Sequence, residues 1–539
     1  MSIGFANVFG TLPRIGRRVR RALGRAGLAD EMAAVNAALA GQGLPPSDGT
    51  DGDAAAAERM YELRDDVRAA IPLATTPAGR MAFVNWFLTS GRHQSGAAVA
   101  DILAFLRRQD ATPDRGLATA YLWNPAWQAR HPLALTPGGW GEFKAWVGAE
   151  YGVRGWWLRR AALPPRFDKS PGNGLGANVL GMFRYTSGLQ QNAVAVVDAL
   201  TAAGVGTSLR DIPKPFDRGD RRPEPFDGLE RFPVTVIDTG LDVPVPEAYR
   251  IAGLHPRPGV YRVAVWSWEL EQLPADCLDR GADVDEIWAP TTFIADAMRP
   301  YGKPVYTILT PVQLAPFTPR SKEYFGLDPA KFTFLFAFDM NSRLARKNPL
   351  ALIRAFRLAF RPGEPVELAL KVSPQERFFA DWWAELRGAA AAGGVKLIDR
   401  SLPRGEVLAL MNAADAYVSL HRSEGVGLTM AEAMLLGKPT IATAYSGNLD
   451  FMTPDDSFLV DYEPTTIAED IPPYPKGFVW AEPSVEHAAE LMRRVVDQPD
   501  ETRRVAARGQ ASARRLFDPL AAGRKMAARL AAIRDGGRS

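Results

Sequence analysis

The sequence predicts an α/β protein: two parallel-sheet units facing one cleft, preceded by an α-helical module. Three observations predict it. From about residue 174, short apolar strands alternate with segments of helical spacing. Near residue 331 the same alternation begins again. Ahead of both, residues 59–165 show helical spacing and a segment that recurs at an offset of sixty residues.

The elements follow in chain order. Residues 14–25 read RIGRRVRRALGR, with six arginines and no acid. Ile15, Val19, Ala22, Leu23 and Ala26 fall at helical spacing. A basic amphipathic helix on an anionic membrane surface and a solvated basic tail fit this stretch equally well. Residues 37–58 are small, polar and turn-rich, which predicts a flexible linker. In the repeat, Pro72 to Gly79 leads to Phe83 and Trp86, and Pro132 to Gly139 leads to Phe143 and Trp146. Thr76-Pro77 and Thr136-Pro137 are expected to start helices, Thr as the cap and Pro in the first turn. The expectation is two related helical units packed by aromatics, serving structure or docking. Strands are then expected at 177–183, 233–238, 260–266, 286–289 and 304–309, with a helix whose apolar face is Val194, Val197 and Leu200 and which stops at Gly204. The second unit has expected strands at 332–338, 366–372, 394–399, 416–420 and 439–443. Its tail from 484 is helical. The expected boundaries are 1–58 (basic segment and linker), 59–170 (helical module), 171–315 (first parallel-sheet unit), 316–500 (second parallel-sheet unit) and 501–539 (C-terminal helices).

Composition narrows the class. A chain of 539 residues is too long for one core. The net charge of +3 carries no nucleic-acid signal, and none is expected as partner. Cys277 is the single cysteine, which excludes an internal disulfide and argues against a cysteine zinc site. No apolar run reaches membrane-helix length, and no apolar segment follows the N-terminal charges. A cytoplasmic protein is expected, with peripheral contact at the inner membrane face through 14–25 left open.

The chemistry centres on HRSEGVGLTMAEAMLLGKP, residues 421–439. Ligands of parallel sheets bind beyond the carboxyl ends of the strands. Glu424 is expected on the loop after strand 416–420, and Glu432 in the first turn of the helix starting near Thr429. Gly425 and Gly427 allow close approach, and the amides of Gly427, Leu428 and Thr429 suit a phosphate. The two carboxylates suit hydroxyls on either side of it. A ligand with hydroxyls flanking a diphosphate is a nucleotide sugar. A lone Glu near a helix start is stabilising by itself; the Gly turn, both glutamates and the strand-end position together favour a site. After strand 332–338 come Asp339, Ser342, Arg343, Arg346 and Lys347, and Lys347 could meet the leaving diphosphate. Lys371 is a weaker candidate. The loop 187–193 could cover phosphate or sugar. Trp268 and Glu269 fit acceptor contact and a buried aromatic beside a helix-start acid equally well. Asp51-Gly-Asp53 and Asp283-Val-Asp285 match an Asp-x-Asp metal pattern, but neither follows a strand. No metal and no cofactor is expected.

SEGVGLTMAEAMLLGKPTIAT resembles the Glu-x7-Glu region of glycosyltransferase family 4, the retaining group with the GT-B fold of two Rossmann-like domains. RKNPLALIRAF is similar to that family's phosphate-lysine region, and YRVAVWSWELEQLP, DEIWAPTTF and YSGNLDFM resemble further segments of bacterial polysaccharide-type members. The resemblance covers about 174–500. It implies Glu424 at the donor sugar, Glu432 at the ribose, Lys347 at the diphosphate and Gly188 in a loop near the phosphates. Many members carry an Arg where this chain has Asn341 and Ser342, so Arg343 or Arg346 would have to substitute. The usual first-domain histidine is not evident. The implied activity is transfer from a nucleotide-diphosphate sugar to a glycan or lipid-linked acceptor, as in cell-surface polysaccharide synthesis. The alternatives are a sugar-nucleotide epimerase of the same fold and a non-catalytic nucleotide-sugar or glycan-binding scaffold.

Overall fold

The structure, a computed structural model, describes residues 28–92, 98–112, 115–153, 155–168, 174–184, 187–213, 226–373 and 379–536. The basic stretch 14–25 lies outside them.

Two six-stranded parallel sheets carry the α/β part. The first contains β1 (Gly176–Gly181), β2 (Gly206–Asp211), β3 (Val234–Gly240), β4 (Tyr261–Ser267), β5 (Glu286–Ala289) and β6 (Val305–Thr307), in the order β2-β1-β3-β4-β5-β6. The second contains β7 (Phe332–Asp339), β8 (Val366–Ser373), β9 (Lys396–Ile398), β10 (Ala416–Ser419), β11 (Thr440–Thr443) and β12 (Phe458–Val460), in the order β12-β11-β10-β7-β8-β9. β1 and β3 are buried along their whole length. Their polar residues are therefore buried too: Asn178 of β1 donates to Thr235 Oγ1 of β3 at 3.0 Å, and Asp238 lies at the far end of β3. In the second sheet the order reverses between β7 and β10. A crevice opens where neighbouring strands send their connections in opposite directions, so ligands settle there. The loops after these two strands carry Lys347 and Glu424.

Three features depart from expectation. β2 and β12 were not anticipated, and neither was an antiparallel ribbon of β13 (Tyr462–Thr466) and β14 (Val479–Pro483). The expected linker 37–58 is packed instead. Helix Leu28–Ala40 runs into it, Asn36 Nδ2 donates to Ser47 O at 3.2 Å, and the Asp53 amide donates to Asp101 at 2.8 Å. A Cβ on Gly52 would lie 1.9 Å from Ala100 O, so the small residues serve close passage over helix Val99–Ala111 rather than mobility. Asp53 itself caps the helix Ala54–Leu63. Finally, the helices after the Thr-Pro pairs begin at Arg80 and Gly139. Thr76 and Thr136 nevertheless make cap-type bonds as expected: their hydroxyls accept the Ala78 amide at 3.3 Å and the Gly139 amide at 3.1 Å, while donating to Leu73 O at 2.8 Å and Leu133 O at 2.7 Å.

The aromatics of the helical region pack in matching pairs. Phe83 and Trp86 stack with centroids 5.7 Å apart, Phe143 and Trp146 at 5.9 Å. Tyr61 meets Phe83 edge-on, and Tyr121 meets Phe143 likewise. This region docks on the first sheet through buried Arg210 of β2, which donates to Leu122 O at 2.7 Å and lies 4.2 Å from the Trp123 ring. The last helix, Pro519–Arg534, returns to the first sheet, where Arg529 reaches Glu286 at 2.7 Å. Among the described residues no helix is long and apolar enough to cross a membrane.

Candidate active site

The loop after β7 coils into a short helix, Leu344–Lys347, that ends at Asn348. The loop after β10 carries Glu424. Together they bring three charges into contact. Lys347 Nζ pairs with Glu424 Oε1, and Arg346 Nη1 lies 3.1 Å from Glu424 Oε2. Arg346 also donates to Ser423 O at 2.8 Å and Ser342 O at 3.2 Å, so its pose is set by backbone as well as charge. Burial alone would raise the Glu424 pKa, but Lys347, Arg346 and His421 outweigh it and pull the carboxyl to about 2. Glu424 is therefore ionised at any ordinary pH. Burial also lowers the Lys347 pKa, against the pull of Glu424. For Arg346 burial opposes the charge, but Tyr474, Glu424 and Glu269 more than offset it and the pKa rises.

The described non-glycine residues with positive φ are Arg343, Asn348 and Ser446, at 69°, 52° and 77°. All three flank this cluster. Asn348 ends the Lys347 helix, and Ser446 Oγ accepts the Glu424 amide at 2.8 Å. Such strain persists only where surrounding contacts hold it, and it gathers at functional sites. A Cβ on Gly447 would fall 1.9 Å from Gly425 O, which keeps the two loops in direct backbone contact.

Gly427, at φ 88°, turns the chain into the helix Leu428–Leu435. The N–H groups of Leu428 and Thr429 lead that helix and have no carbonyl within it to bond. Glu432 sits in the second turn, not the first as expected, and is buried. Its Oε1 pairs with Arg404, and its Oε2 is buried with no hydrogen-bond partner among the described residues. Gly188 does not lie in a loop; it is the first residue of helix Gly188–Ala202. A Cβ there would lie 4.0 Å from Leu428 Cδ1, so helix starts from the two sheets face one another. Between them a cavity of ≈ 290 Å³ is lined by Gln190, Gln191 and Val194 on one side and by Arg404, Leu428 and Glu432 on the other.

Other expected residues fall elsewhere. Arg343 turns away and donates to Asn341 O at 3.2 Å and to Pro472 O. Lys371 is buried and bonds Ser373 Oγ at 2.8 Å. Trp268 is buried, donates to Gln272 O at 2.9 Å and has no sugar-facing surface. Its neighbour Glu269 does reach the cluster. Glu269 Oε1 lies 3.9 Å from Arg346, and Oε2 accepts the Tyr474 hydroxyl at 3.1 Å. Burial pushes the Tyr474 phenol up, so it stays a donor. His421 is buried, with Nδ1 3.1 Å from Ser419 Oγ and Nε2 3.2 Å from Tyr445 O and Asn448 Oδ1. Burial lowers its pKa. Both ring nitrogens are thus engaged, which leaves an epimerase reading without a free acid–base pair around it.

Tyr474 and Arg404 had no motif to mark them. Tyr474 comes from the ribbon β13–β14, whose Ile467, Tyr474 and Trp480 belong to the first sheet's apolar core with Trp268 and Leu270. Further bonds cross between the sheets: Thr291 Oγ1 to Gly425 O at 2.8 Å, Tyr445 O–H to Glu271 at 3.1 Å, and Ser423 Oγ to Glu269 O.

Residues 340–512 match the family model of Glycosyl transferases group 1. Among solved structures, the chain is similar to Anabaena HepE in complex with UDP-glucose, at 16% identity over 67% of this chain and 100% of that one, TM-score 0.47. It is similar to sucrose-phosphate synthase from Thermosynechococcus elongatus, at 15% identity over 67% and 100%, TM-score 0.48. It is also similar to S. aureus TarM, at 11% identity over 55% of each chain, TM-score 0.40. No curated protein matches it.

Proposed function

We propose that this chain, a retaining glycosyltransferase of group 1, transfers a hexose from a nucleotide-diphosphate sugar to a glycan or lipid-linked acceptor in cell-surface polysaccharide synthesis. The observation that carries the donor reading is the convergence of Lys347 and Arg346 on Glu424, beside the start of helix Leu428–Leu435. Two buried cations and a helix N-terminus suit a diphosphate whose charge grows as the glycosidic bond breaks. Glu424, held ionised, accepts hydrogen bonds from sugar hydroxyls and cannot serve as a general acid near neutrality. The transition state of glycosyl transfer has oxocarbenium character. A carboxylate beside the sugar and cations beneath the leaving group favour that charge separation. Closure of the two sheet units on the donor would exclude water from the crevice. Arg346, rather than Arg343, takes the second phosphate charge. Glu269 stands on the acceptor side. No metal is needed for these steps.

The test is a binding panel of UDP, GDP, ADP and dTDP with their hexoses, with and without chelator. Wild type, Lys347→Ala and Glu432→Ala are compared. Selective binding of one base, weakened in both variants and indifferent to chelator, is expected. Binding untouched by either substitution would remove the site assignment and leave the scaffold reading in its place.

A further inference from the structure

The nucleoside end of the cavity holds an arrangement that the donor reading does not explain. Arg404 is the first residue of helix Arg404–Ala413. A cation there faces the positive end of the helix dipole, so helix stability does not favour it. Its guanidinium instead reaches across to Glu432 Oε1 on the neighbouring helix. The Glu432 side chain is 1% exposed and that of Arg404 30%, so the pair spans from the core to the cavity wall. Only one carboxylate oxygen is used. Glu432 Oε2 has no hydrogen-bond partner among the described residues, although it is buried. An unmet buried acceptor is costly, and a ligand hydroxyl that donates to it relieves the cost. Arg404 holds one carboxylate oxygen and leaves the other to be used.

We propose that Arg404 is a specificity-determining positioning residue: it takes Oε1 of Glu432, fixes the orientation of that carboxylate and presents Oε2 to a ribose hydroxyl, so that the site discriminates ribonucleotides from deoxyribonucleotides. The inference rests on the donor reading. The apolar wall of the same cavity, with Val194, Leu314 and Pro316, is where the base would lie.

The experiment is calorimetry on the full chain with UDP, GDP and ADP, their 2′-deoxy and 3′-deoxy counterparts, and inorganic pyrophosphate. Wild type, Arg404→Met and Arg404→Lys are compared. Wild type is expected to bind one ribonucleotide at least about tenfold more tightly than one of its deoxy forms, as a hydrogen bond to a charged group allows. Arg404→Met should lose most of that ratio while pyrophosphate binding stays within about twofold, which also reports that the variant is folded. Arg404→Lys, with a charge but no fork, should recover part of the ratio. Equal discrimination in wild type and Arg404→Met would overturn the inference. So would diphosphate binding without any ribose discrimination in wild type, which leaves the donor reading standing. Absence of binding to every nucleotide would instead strike the donor reading, and this inference with it.

Discussion

Each sheet holds a buried carboxylate at or just beyond its strand ends, and their pKa values are pushed in opposite directions. Asp238 lies near the end of β3, fully buried, with one oxygen accepting Asn192 Nδ2 at 2.6 Å and the other without a hydrogen-bond partner among the described residues. Burial pushes its pKa well above the usual carboxylate range. Glu424 lies on the loop after β10, and its pKa falls to about 2. Both are buried, so burial does not decide between them. The neighbours do: an amide beside Asp238, two cations gripping Glu424. The second sheet gathers cations around its buried acid, whereas in the first burial works against the charged form of Asp238. That asymmetry accords with the proposed function, in which the second sheet's crevice would hold a diphosphate and the first sheet's would not.

The comparison can be broken most directly by removing a cation. Lys347→Met should lower kcat for transfer by about a hundredfold or more, the scale for one lost transition-state contact of this kind, measured as nucleotide release from the donor selected by the binding panel. A wild-type rate would show that the charge pair is structural.

Next is the carboxylate. Glu424→Gln should abolish most transfer yet bind the free nucleotide diphosphate more tightly than wild type, because Lys347 and Arg346 no longer need to share themselves. It should also cost on the order of 3 kcal/mol of stability at neutral pH, since two buried cations lose their partner. The folded pKa of about 2 lies below the ordinary glutamate value of 4.5. The contribution is therefore present above about pH 4.5 and is lost as pH falls through 2. The melting-temperature deficit of Glu424→Gln should shrink across that window, and a deficit that is constant with pH would contradict the assigned pairing.

Asp238→Asn should do the reverse. A raised folded pKa gives stability that is complete below the ordinary value of 3.8 and declines as pH rises towards the folded pKa. The variant escapes that decline, so its melting temperature relative to wild type should climb with pH, reaching roughly 2 °C. A variant less stable at pH 8 than at pH 5, relative to wild type, would mean that Asp238 is ionised and paired.

The smallest effect is expected at Tyr474. Tyr474→Phe keeps the ring against Trp268 and removes one hydrogen bond to Glu269. A fall in kcat of about threefold to tenfold is expected, with no further fall when Glu269→Gln is already present. Additive losses in that double variant would separate Tyr474 from Glu269.

Much of this was legible in sequence. The strand–helix alternation announced both sheets, because parallel strands covered on both faces are continuous apolar runs. Glu424, Lys347 and Arg346 were readable as neighbours because each follows a strand at its carboxyl end. Arg343 was equally plausible by spacing, and only its positive φ and its bond towards Pro472 turn it aside. Trp268 fitted a sugar platform and a core position equally well, because nothing local distinguishes an exposed aromatic from a core one; in the structure it is buried. The linker failed for a related reason. Gly and Ser mark both flexible chain and chain squeezed against a helix backbone.

The sequence by itself determined the fold class, the two crevice loops and the charge types they carry, since these rest on periodicity and on strand ends, which are local. Tertiary structure alone decided that Arg404 reaches Glu432, that Tyr474 reaches Glu269 across 205 residues of chain, and that one buried carboxylate has its pKa lowered and the other raised. Those outcomes depend on which groups meet after folding, and the energy of a buried charge is set by its neighbours rather than by its own place in the chain.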